Sequence, residues 1–284
     1  MLRQRAHADE EGRWSLVLGT PDPRLRGTVI GDYVGWEEVR HRPSIRREVP
    51  RSQLPVILNF GAPYDVYAPA NAAQGLAPFH SFVAGAHDSY ALTRQQVNAC
   101  LQFNLSFLGA FRLLRLPMDE LANRVVALDD LLGARVRELV EQLGNSGDWT
   151  ERFARLDRWL LARLAEAPQP APTARAALAA IERSGGDLSI GALAAREGVS
   201  RKRLIQLCRE TLGLPPKRLA RVVRFERAFA LMTRRPDESL AAIALDSGYS
   251  DQAHFNRDFR AMTGATPGTI FDQLPPELLV ASAV

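Results

Sequence analysis

Hydrophobic and polar residues follow two different patterns along the chain, and the pattern changes near Pro117. Between Thr28 and about Leu114, short runs rich in Val, Ile, Tyr and Phe are separated by Gly, Pro, Asn and Asp. Such runs are typical of β-strands joined by turns. They predict an antiparallel barrel or sandwich over residues 28–114, preceded by irregular chain at residues 1–27.

Helical periodicity replaces this pattern over residues 117–166. Two segments each place their apolar residues on one stripe, namely Leu132, Val136, Leu139, Val140 and Leu143, and then Phe153, Leu156, Leu160 and Leu164. This spacing predicts two helices, the second beginning at Asp148. The stripes could pack inside the same domain, or they could form a helical hairpin used for dimerisation, and the pattern favours neither.

A segment rich in Pro and Ala, residues 167–173, divides the chain. Proline-rich segments are extended and semi-rigid, so we expect a linker there. The predicted units are an N-terminal domain of residues 1–166 and an all-α domain of residues 174–272, with a tail at 273–284. The predicted fold class is therefore α+β, with a β-rich barrel, a helical hairpin and then the all-α domain.

The all-α domain contains one pattern twice, at residues 188–216 and 239–267. Each copy reads as a short amphipathic helix, a Gly-x-Ser turn, a second amphipathic helix, and a glycine followed by proline. The turn glycines, Gly198 and Gly248, can take the positive φ that such a turn needs. Serines stand at all four predicted N-caps: Ser189, Ser200, Ser239 and Ser250. This is the pattern of a helix-turn-helix, whose second helix enters the major groove of DNA.

The outer faces of the two second helices carry the candidate DNA contacts. Gly248 follows Gly198 by fifty residues but Gly264 follows Gly213 by fifty-one, so one extra residue lies just after the second turn. With that offset, the candidates are Ser200, Arg201, Lys202, Gln206 and Arg209 in the first copy, and Ser250, Gln252, Ala253, Asn256, Arg257 and Arg260 in the second. Ile205 also occupies a groove-facing position, where it could touch a thymine methyl or make no contact. Arginine suits guanine edges, and Gln or Asn suits adenine edges.

A long helix between the copies would set their separation. About twenty residues span about 30 Å, which approaches one turn of DNA and would place the copies in successive major-groove segments. Charge supports contact with a polyanion, since residues 172–272 carry sixteen Lys/Arg against eleven Asp/Glu, whereas residues 1–171 carry twenty of each. No apolar run spans a bilayer and the N-terminus has no apolar signal segment, so a cytoplasmic location is expected.

These residues resemble the DNA-binding domain of the AraC/XylS transcriptional regulators. The match runs through Ser200-x-x-x-Leu204, Gly213-x-x-Pro216, Arg224-x-x-Arg227-Ala228, Ile243-Ala244 and the signature GYSDQAHFNRDFRAMTGATP at Gly248–Pro267. The resemblance implies a sequence-specific regulator of transcription that binds double-stranded DNA.

Three positions depart from the family pattern. Cys208 stands where the family usually has phenylalanine, and Leu219 and Ile270 stand where it often has tyrosine. A cysteine buries less area than an aromatic ring, so we expect the first copy to be the looser one. We also expect the more basic first copy to supply much of the affinity, and the second copy, with Phe255 and Phe259 in its core, more of the sequence choice.

The N-terminal domain resembles, more weakly, a cupin-like AraC-type regulatory domain. The resemblance covers Phe82–Gly133 and rests on its hydrophobic pattern and on the ending Val126–Gly133. It implies a homodimer, a small-molecule effector and contact with RNA polymerase. Aromatic side chains that could line an effector cavity, or could simply fill the core, are Trp36, Phe60, Tyr64, Phe82, Tyr90 and Phe103.

An enzyme or ligand-binding barrel whose helical C-terminal region mediates protein contacts is the alternative. Cupin-type barrels bind metal through His-x-His with a further Glu and His, but the five histidines never form His-x-His. The chain also contains no Gly-x-Ser-x-Gly, phosphate loop or Cys/His pairing. We therefore expect a regulator rather than an enzyme, with no catalytic residue, no metal and no cofactor. Cys100 and Cys208 are predicted to be buried thiols.

Overall fold

The N-terminal half of the chain is built on one antiparallel sheet. The computed structural model describes residues 2–68 and 77–270, so the predicted tail at 273–284 lies outside the described residues. The strands are β1 (Arg3–Asp9), β2 (Gly12–Gly19), β3 (Val29–Glu48), β4 (Leu54–Asn59), β5 (Tyr64–Tyr67), β6 (Ala77–Phe79), β7 (Phe82–Ala84), β8 (Ala91–Leu105) and β9 (Val125–Ala127). They pair in the order β1-β2-β3-β8-β4-β7-β9, with β5 joining β6 and β8.

The sheet does not close into the predicted barrel. Its pairing path runs from β1 to β9, and no pairing among the described residues joins these two strands. The long strands β3 and β8 form its centre, with Trp36 opposite Cys100 and Val39 opposite Val97. Apolar and polar residues alternate at the end of β8, where Leu101, Phe103 and Leu105 belong to one apolar cluster, while Cys100 belongs to the cluster on the other face.

The irregular chain predicted for residues 1–27 is wrong, because β1 and β2 form a hairpin there. Their register runs from Arg3 opposite Leu18 to Asp9 opposite Gly12. The carboxylate of Asp9 accepts the backbone N–H groups of Glu11 and Gly12 and so closes the turn. All of β1 is exposed, and its only apolar residues are Ala6 and Ala8, so it lacks the alternation of large apolar residues from which strands are recognised.

Helices make up most of the rest of the chain. They are α1 (Phe107–Leu114), α2 (Leu128–Leu132), α3 (Ala134–Gly144), α4 (Trp149–Leu164), α5 (Pro172–Arg183), α6 (Ile190–Arg196), α7 (Arg201–Leu212), α8 (Pro216–Arg234), α9 (Leu240–Asp246), α10 (Gln252–Thr263) and α11 (Pro267–Ile270). Two sequence predictions need correction. Residues 107–114 form a helix within the predicted β-rich region, and β9 interrupts the predicted first helix of the hairpin.

The apolar stripes of α3 and α4 are buried within the chain itself. Asp148 caps α4 as predicted, its Oδ1 accepting the Glu151 N–H at 2.8 Å. Phe153 packs against the Tyr33 ring with a centroid separation of 5.6 Å, and Leu156 and Leu160 are fully buried. Because the chain's own core covers these stripes, they serve packing within the chain.

The two predicted units contact each other extensively. Packed apolar side chains continue from the sheet through α1 and the 3-10 turn Met118–Glu120 to α7 and α8. The proline-rich segment leads into α5, which begins at Pro172, where the missing proline N–H costs no helical hydrogen bond. The helical half is therefore held against the sheet as well as joined to it by the chain.

Candidate nucleic-acid interface

The first repeated unit folds as the sequence predicted. The Oγ of Ser189 accepts the Ala192 N–H at 3.3 Å to cap α6, and the Oγ of Ser200 accepts the Arg203 N–H at 3.2 Å to cap α7. Gly198 between the two helices has a φ of 66°. The inward residues Leu193, Ala194, Leu204 and Cys208 are all buried. The pair α6–α7 is thus a helix-turn-helix.

The second repeated unit is a helix-turn-helix with an aromatic core. Ser239 caps α9 by accepting the Ala242 N–H at 3.2 Å, and the turn residue Gly248 has a φ of 84°. Phe259 is fully buried and packs against the rings of Phe225 and Phe255, each with a centroid separation of 5.4 Å. This core holds α10 on α8.

The predicted cap of α10 is wrong, since Asp251 rather than Ser250 occupies that position. The Oδ1 of Asp251 accepts the His254 N–H at 2.6 Å, while the Ser250 hydroxyl donates to Asp251 Oδ2 at 3.1 Å. The extra residue after the second turn shifts the cap by one position, so that Asp251 follows Ser200 by fifty-one residues, the same offset as Gly264 from Gly213. The one-residue offset seen in the sequence therefore already places the cap of α10 at Asp251.

The changed cap gives the two helices different electrostatics at their N-termini. The His254 N–H and the Ser250 hydroxyl together lower the pKa of Asp251, which keeps this carboxylate charged. A helix N-terminus favours an anion, and in α10 the carboxylate of its own cap already supplies one. The cap of α7 is a neutral serine followed by Arg201 and Lys202. The N-terminus of α7 is therefore a more favourable environment for an anion than the N-terminus of α10.

All the candidate DNA-contacting residues are exposed and lie on the two helices or immediately before them. In the first unit they are Ser200, Arg201, Lys202, Ile205, Gln206 and Arg209, and in the second Ser250, Gln252, Ala253, Asn256, Arg257 and Arg260. Each face is polar apart from Ile205, which is 37% exposed, and Ala253. Helical periodicity thus placed each set on one surface, opposite the buried residues of the same helix.

Two of these side chains have contacts that bear on their roles. The guanidinium of Arg201 lies directly over α6 at Gly191, where any side chain would collide with it. The guanidinium therefore lies at the start of α7, beside α6. The Nε2 of Gln206 donates to Glu210 Oε1 at 2.8 Å, so a contact with adenine would replace this hydrogen bond.

The helix α8 joins the two units and orients the second one. Its nineteen residues span about 28 Å. The Nη2 of Arg221 donates to Asp258 Oδ1 at 2.9 Å, and the guanidinium of Arg224 lies 5.3 Å from the Tyr249 ring centroid. Asp258 is almost buried, 8% exposed, on the inner face of α10. Sequence reasoning missed this ion pair, although a charged residue at a core position of α10 was the available signal.

The six aromatic residues predicted to line an effector cavity, or to fill the core, do not form one cluster. Trp36, Tyr64 and Phe82 belong to one apolar cluster on the sheet. The other three lie elsewhere: Phe103 packs against Tyr33, Phe60 against Trp149, and Tyr90 under the guanidinium of Arg47. Beside Phe103 lies an apolar cavity of about 10 Å³, too small for more than a water molecule.

A buried polar cluster borders the three aromatic residues that stay together. Glu38 is 2% exposed and accepts from Arg46 Nη2 at 2.9 Å, Gln95 Nε2 at 2.9 Å and Trp36 Nε1 at 3.2 Å, and it also pairs with Arg40. Buried carboxylates are stable only with such partners. The cluster therefore fixes the sheet face on which Trp36 lies.

Within residues 2–68 and 77–270, no group of His, Cys, Asp or Glu side chains is placed to hold a metal ion. No helix in the same ranges has the length and apolarity needed to cross a bilayer. Both cysteines are buried free thiols, as predicted, and burial raises the pKa of Cys100 to about 11 and that of Cys208 to about 12.

Comparison with known proteins identifies the class of the C-terminal region. Residues 193–273 match the family model described as a helix-turn-helix domain. A Haemophilus influenzae protein named "Uncharacterized HTH-type transcriptional regulator" is 32% identical over 85 residues, which cover 30% of this chain and 28% of that protein. The chain thus matches little more than a quarter of this relative's length. The C-terminal region carries a helix-turn-helix domain of the AraC type, as its motifs predicted.

Solved structures of regulators are also similar to this chain. The C-terminal domain of AraT, a response regulator from Geobacillus stearothermophilus, is 25% identical, with 39% of this chain and 93% of that chain covered and a TM-score of 0.34. ToxT from Vibrio cholerae O395, bound to (E)-4-(8-methylnaphthalen-1-yl)but-3-enoic acid, is 11% identical, with 87% and 100% covered and a TM-score of 0.48.

Proposed function

We propose that this protein is a sequence-specific regulator of transcription that reads two successive major-groove segments of double-stranded DNA. One observation carries the proposal. Two helices, α7 and α10, each follow a glycine turn, bury one face in their own unit and expose a polar face with arginine and amide side chains. This is how a recognition helix is presented to DNA.

The two helices make different contributions to DNA binding. The N-terminus of α7 combines a neutral cap with three consecutive basic residues, Arg201–Arg203, and offers free amide groups and positive charge to a phosphate. The N-terminus of α10 carries the Asp251 carboxylate, and its exposed face holds Gln252, Asn256 and Arg257. These side chains match the edges of adenine and guanine. Hence α7 contributes mainly affinity and α10 mainly sequence preference.

Binding of the full-length chain to DNA tests the proposal. The probe is a duplex selected by this protein from a random library, and a scrambled duplex of equal composition is the control. Fluorescence anisotropy should show tighter binding to the selected duplex, with affinity falling as salt rises because bound phosphates release counterions. Absence of any salt-dependent binding would refute the proposal and would favour an enzyme or ligand-binding protein whose helical region contacts other proteins.

Regulation by a small molecule is a further part of the proposal. Of the six aromatic candidates, Trp36, Tyr64 and Phe82 remain together, next to the buried Asn98, whose Oδ1 has no hydrogen-bond partner among the described residues. An effector here would act by binding one arrangement of sheet and helices better than another. A compound screen that follows the melting temperature of the full chain, repeated with Trp36→Leu, tests this assignment.

In the proposed function, the protein acts in the cytoplasm as a homodimer that contacts RNA polymerase, as the resemblance to AraC/XylS regulators implies. The dimer contact lies outside the buried stripes of α3 and α4, since these face the protein's own core. Sedimentation velocity over a range of protein concentrations tests the dimer.

A further inference from the structure

The loop between β7 and β8, residues 85–90, contacts the C-terminal ends of both α7 and α10. At the end of α7, a Cβ on Gly213 would lie 3.0 Å from the Cβ of Ala86. At the end of α10, a Cβ on Gly264 would lie 2.7 Å from the Tyr90 ring. The two glycines are equivalent positions of the repeated units. One loop thus touches the same point of both helix-turn-helix units.

Arg47 on β3 strengthens the contact with α10. Its Nη1 donates to the Thr263 carbonyl at 2.6 Å, and its guanidinium lies 4.8 Å from the Tyr90 ring centroid. The last carbonyl groups of a helix lack partners within the helix, and a cation is favourable there. The stacked ring holds the guanidinium in place. The end of α10 is therefore fixed to the sheet by a directional contact as well as by packing.

The loop itself is firmly held. The Gly85 N–H donates to the Arg124 carbonyl, the Asn123 N–H to the Ala86 carbonyl, and the Asp88 N–H to Asn123 Oδ1, each at 2.9 Å. The Asp88 carboxylate also pairs with Arg218, near the start of α8, at 3.4 Å. The loop is thus tied both to the sheet and to the helix that joins the two units.

We propose that residues 85–90 and Arg47 form a bracket that fixes the distance and rotation between the two recognition helices. Arg47 and Tyr90 are then positioning residues for DNA recognition, although neither needs to contact DNA. The inference rests on the proposed function. Each added base pair turns the second DNA segment by about 34–36° and moves it by about 3.4 Å. A protein with a fixed separation must therefore reject DNA whose segments are wrongly spaced.

Spacer variants of the selected duplex test the bracket. One base pair is inserted or deleted between the two segments, and affinities are compared for the wild type and the double variant Arg47→Ala/Tyr90→Ala. We expect the wild type to lose roughly tenfold in affinity on the altered spacing, a penalty like that of one mismatched base pair, and the double variant to lose less than about threefold. An undiminished penalty in the folded double variant overturns the bracket.

Two matched controls separate the bracket from other effects. Arg42→Ala removes the same charge from an exposed position on β3 and should keep the full spacing penalty. Tyr90→Phe keeps the ring that faces Gly264 and should also behave as the wild type. If the double variant does not fold, Arg47→Lys replaces it, since lysine keeps the charge but lacks the planar group that donates and stacks. It should also reduce the penalty, and an unchanged penalty overturns the bracket.

A second readout keeps the bracket testable if the proposed function fails. Should the wild type bind no DNA, hydrogen exchange of the amides of residues 260–264 still reports how firmly the end of α10 is held. These amides should exchange faster in Arg47→Ala/Tyr90→Ala than in the wild type or in Arg42→Ala. Equal exchange in all three proteins overturns the bracket, independently of any result with DNA.

Discussion

Replacing Arg257 by alanine should remove a base contact, whereas replacing Arg201 should remove a phosphate contact. Arg257 is exposed in the middle of the outer face of α10, one turn beyond Ala253. Arg201 is the first residue of α7, and its guanidinium lies over α6 at the border of the exposed face. The two side chains carry the same charge, so their different positions should give different losses.

The expected magnitudes follow from these positions. A bidentate contact between arginine and guanine contributes about 1–3 kcal/mol of discrimination, so Arg257→Ala should lose roughly 5–150-fold on the selected duplex and far less on the scrambled one. The loss of one phosphate contact makes the negative slope of log affinity against log salt concentration shallower by about 0.9. For Arg201→Ala, the loss relative to the wild type should therefore shrink by about 3.5-fold between about 50 and 200 mM salt, on either duplex.

Anisotropy titrations at several salt concentrations, with both duplexes, measure the two effects together. Arg183→Ala is the matched control, since Arg183 is exposed on α5, outside both recognition helices. The base assignment is refuted if Arg257→Ala keeps the wild-type preference for the selected duplex. The phosphate assignment is refuted if Arg201→Ala has the wild-type salt slope, or if Arg183→Ala changes the slope equally.

Three further predictions concern stability. Asp251→Ala should lower the Tm of the protein at neutral pH by removing the cap of α10. Because the His254 N–H lowers the pKa of Asp251, the difference in Tm between wild type and variant should be full above pH ~4 and should vanish as the pH falls through the lowered pKa. A difference in Tm that persists in strong acid would contradict this prediction. Phe259→Ala should cost about 3–5 kcal/mol in urea denaturation and Cys208→Ala only about 1 kcal/mol, since the ring leaves a far larger cavity; equal costs would contradict the asymmetry of the two cores. Glu38→Ala should cost about 3–5 kcal/mol, because it breaks the ion pair between a buried carboxylate and the partly buried Arg46, and a loss below about 1 kcal/mol would show that water replaces this pair.

The helical half was largely predictable because its order is local. Serine caps, turn glycines and a 3.6-residue period each act within a few residues, and these placed α6, α7, α9 and α10. The one wrong cap is Ser250. It was placed by its distance from the turn glycine Gly248, without the extra residue that separates Gly264 from the position equivalent to Gly213. That the first helix-turn-helix unit is less tightly packed than the second stays a prediction. The contacts of α7 with α1 and residues 118–120 supply packing that the prediction did not include.

The sheet was less predictable because its order is not local. The strand β1 is fully exposed, has no large apolar residue and gains its structure from pairing with β2, which no pattern within residues 3–9 indicates. The aromatic residues looked equivalent in sequence, yet the alternation of strands sends Phe103 and Trp36 into different clusters. The contact of Arg47 with Thr263 joins residues far apart in the chain, and only the folded structure brings them together.

Guanine methylation interference on the selected duplex tests the central claim most directly, because it maps major-groove contacts base by base. With one full-length chain bound, we expect two groups of interfering guanines on one face of the duplex, centred about 10 base pairs apart. The group assigned to α10 should disappear in Arg257→Ala while the other remains. A single group of contacts, or two groups that both persist in Arg257→Ala, would contradict the proposal that α7 and α10 read successive segments.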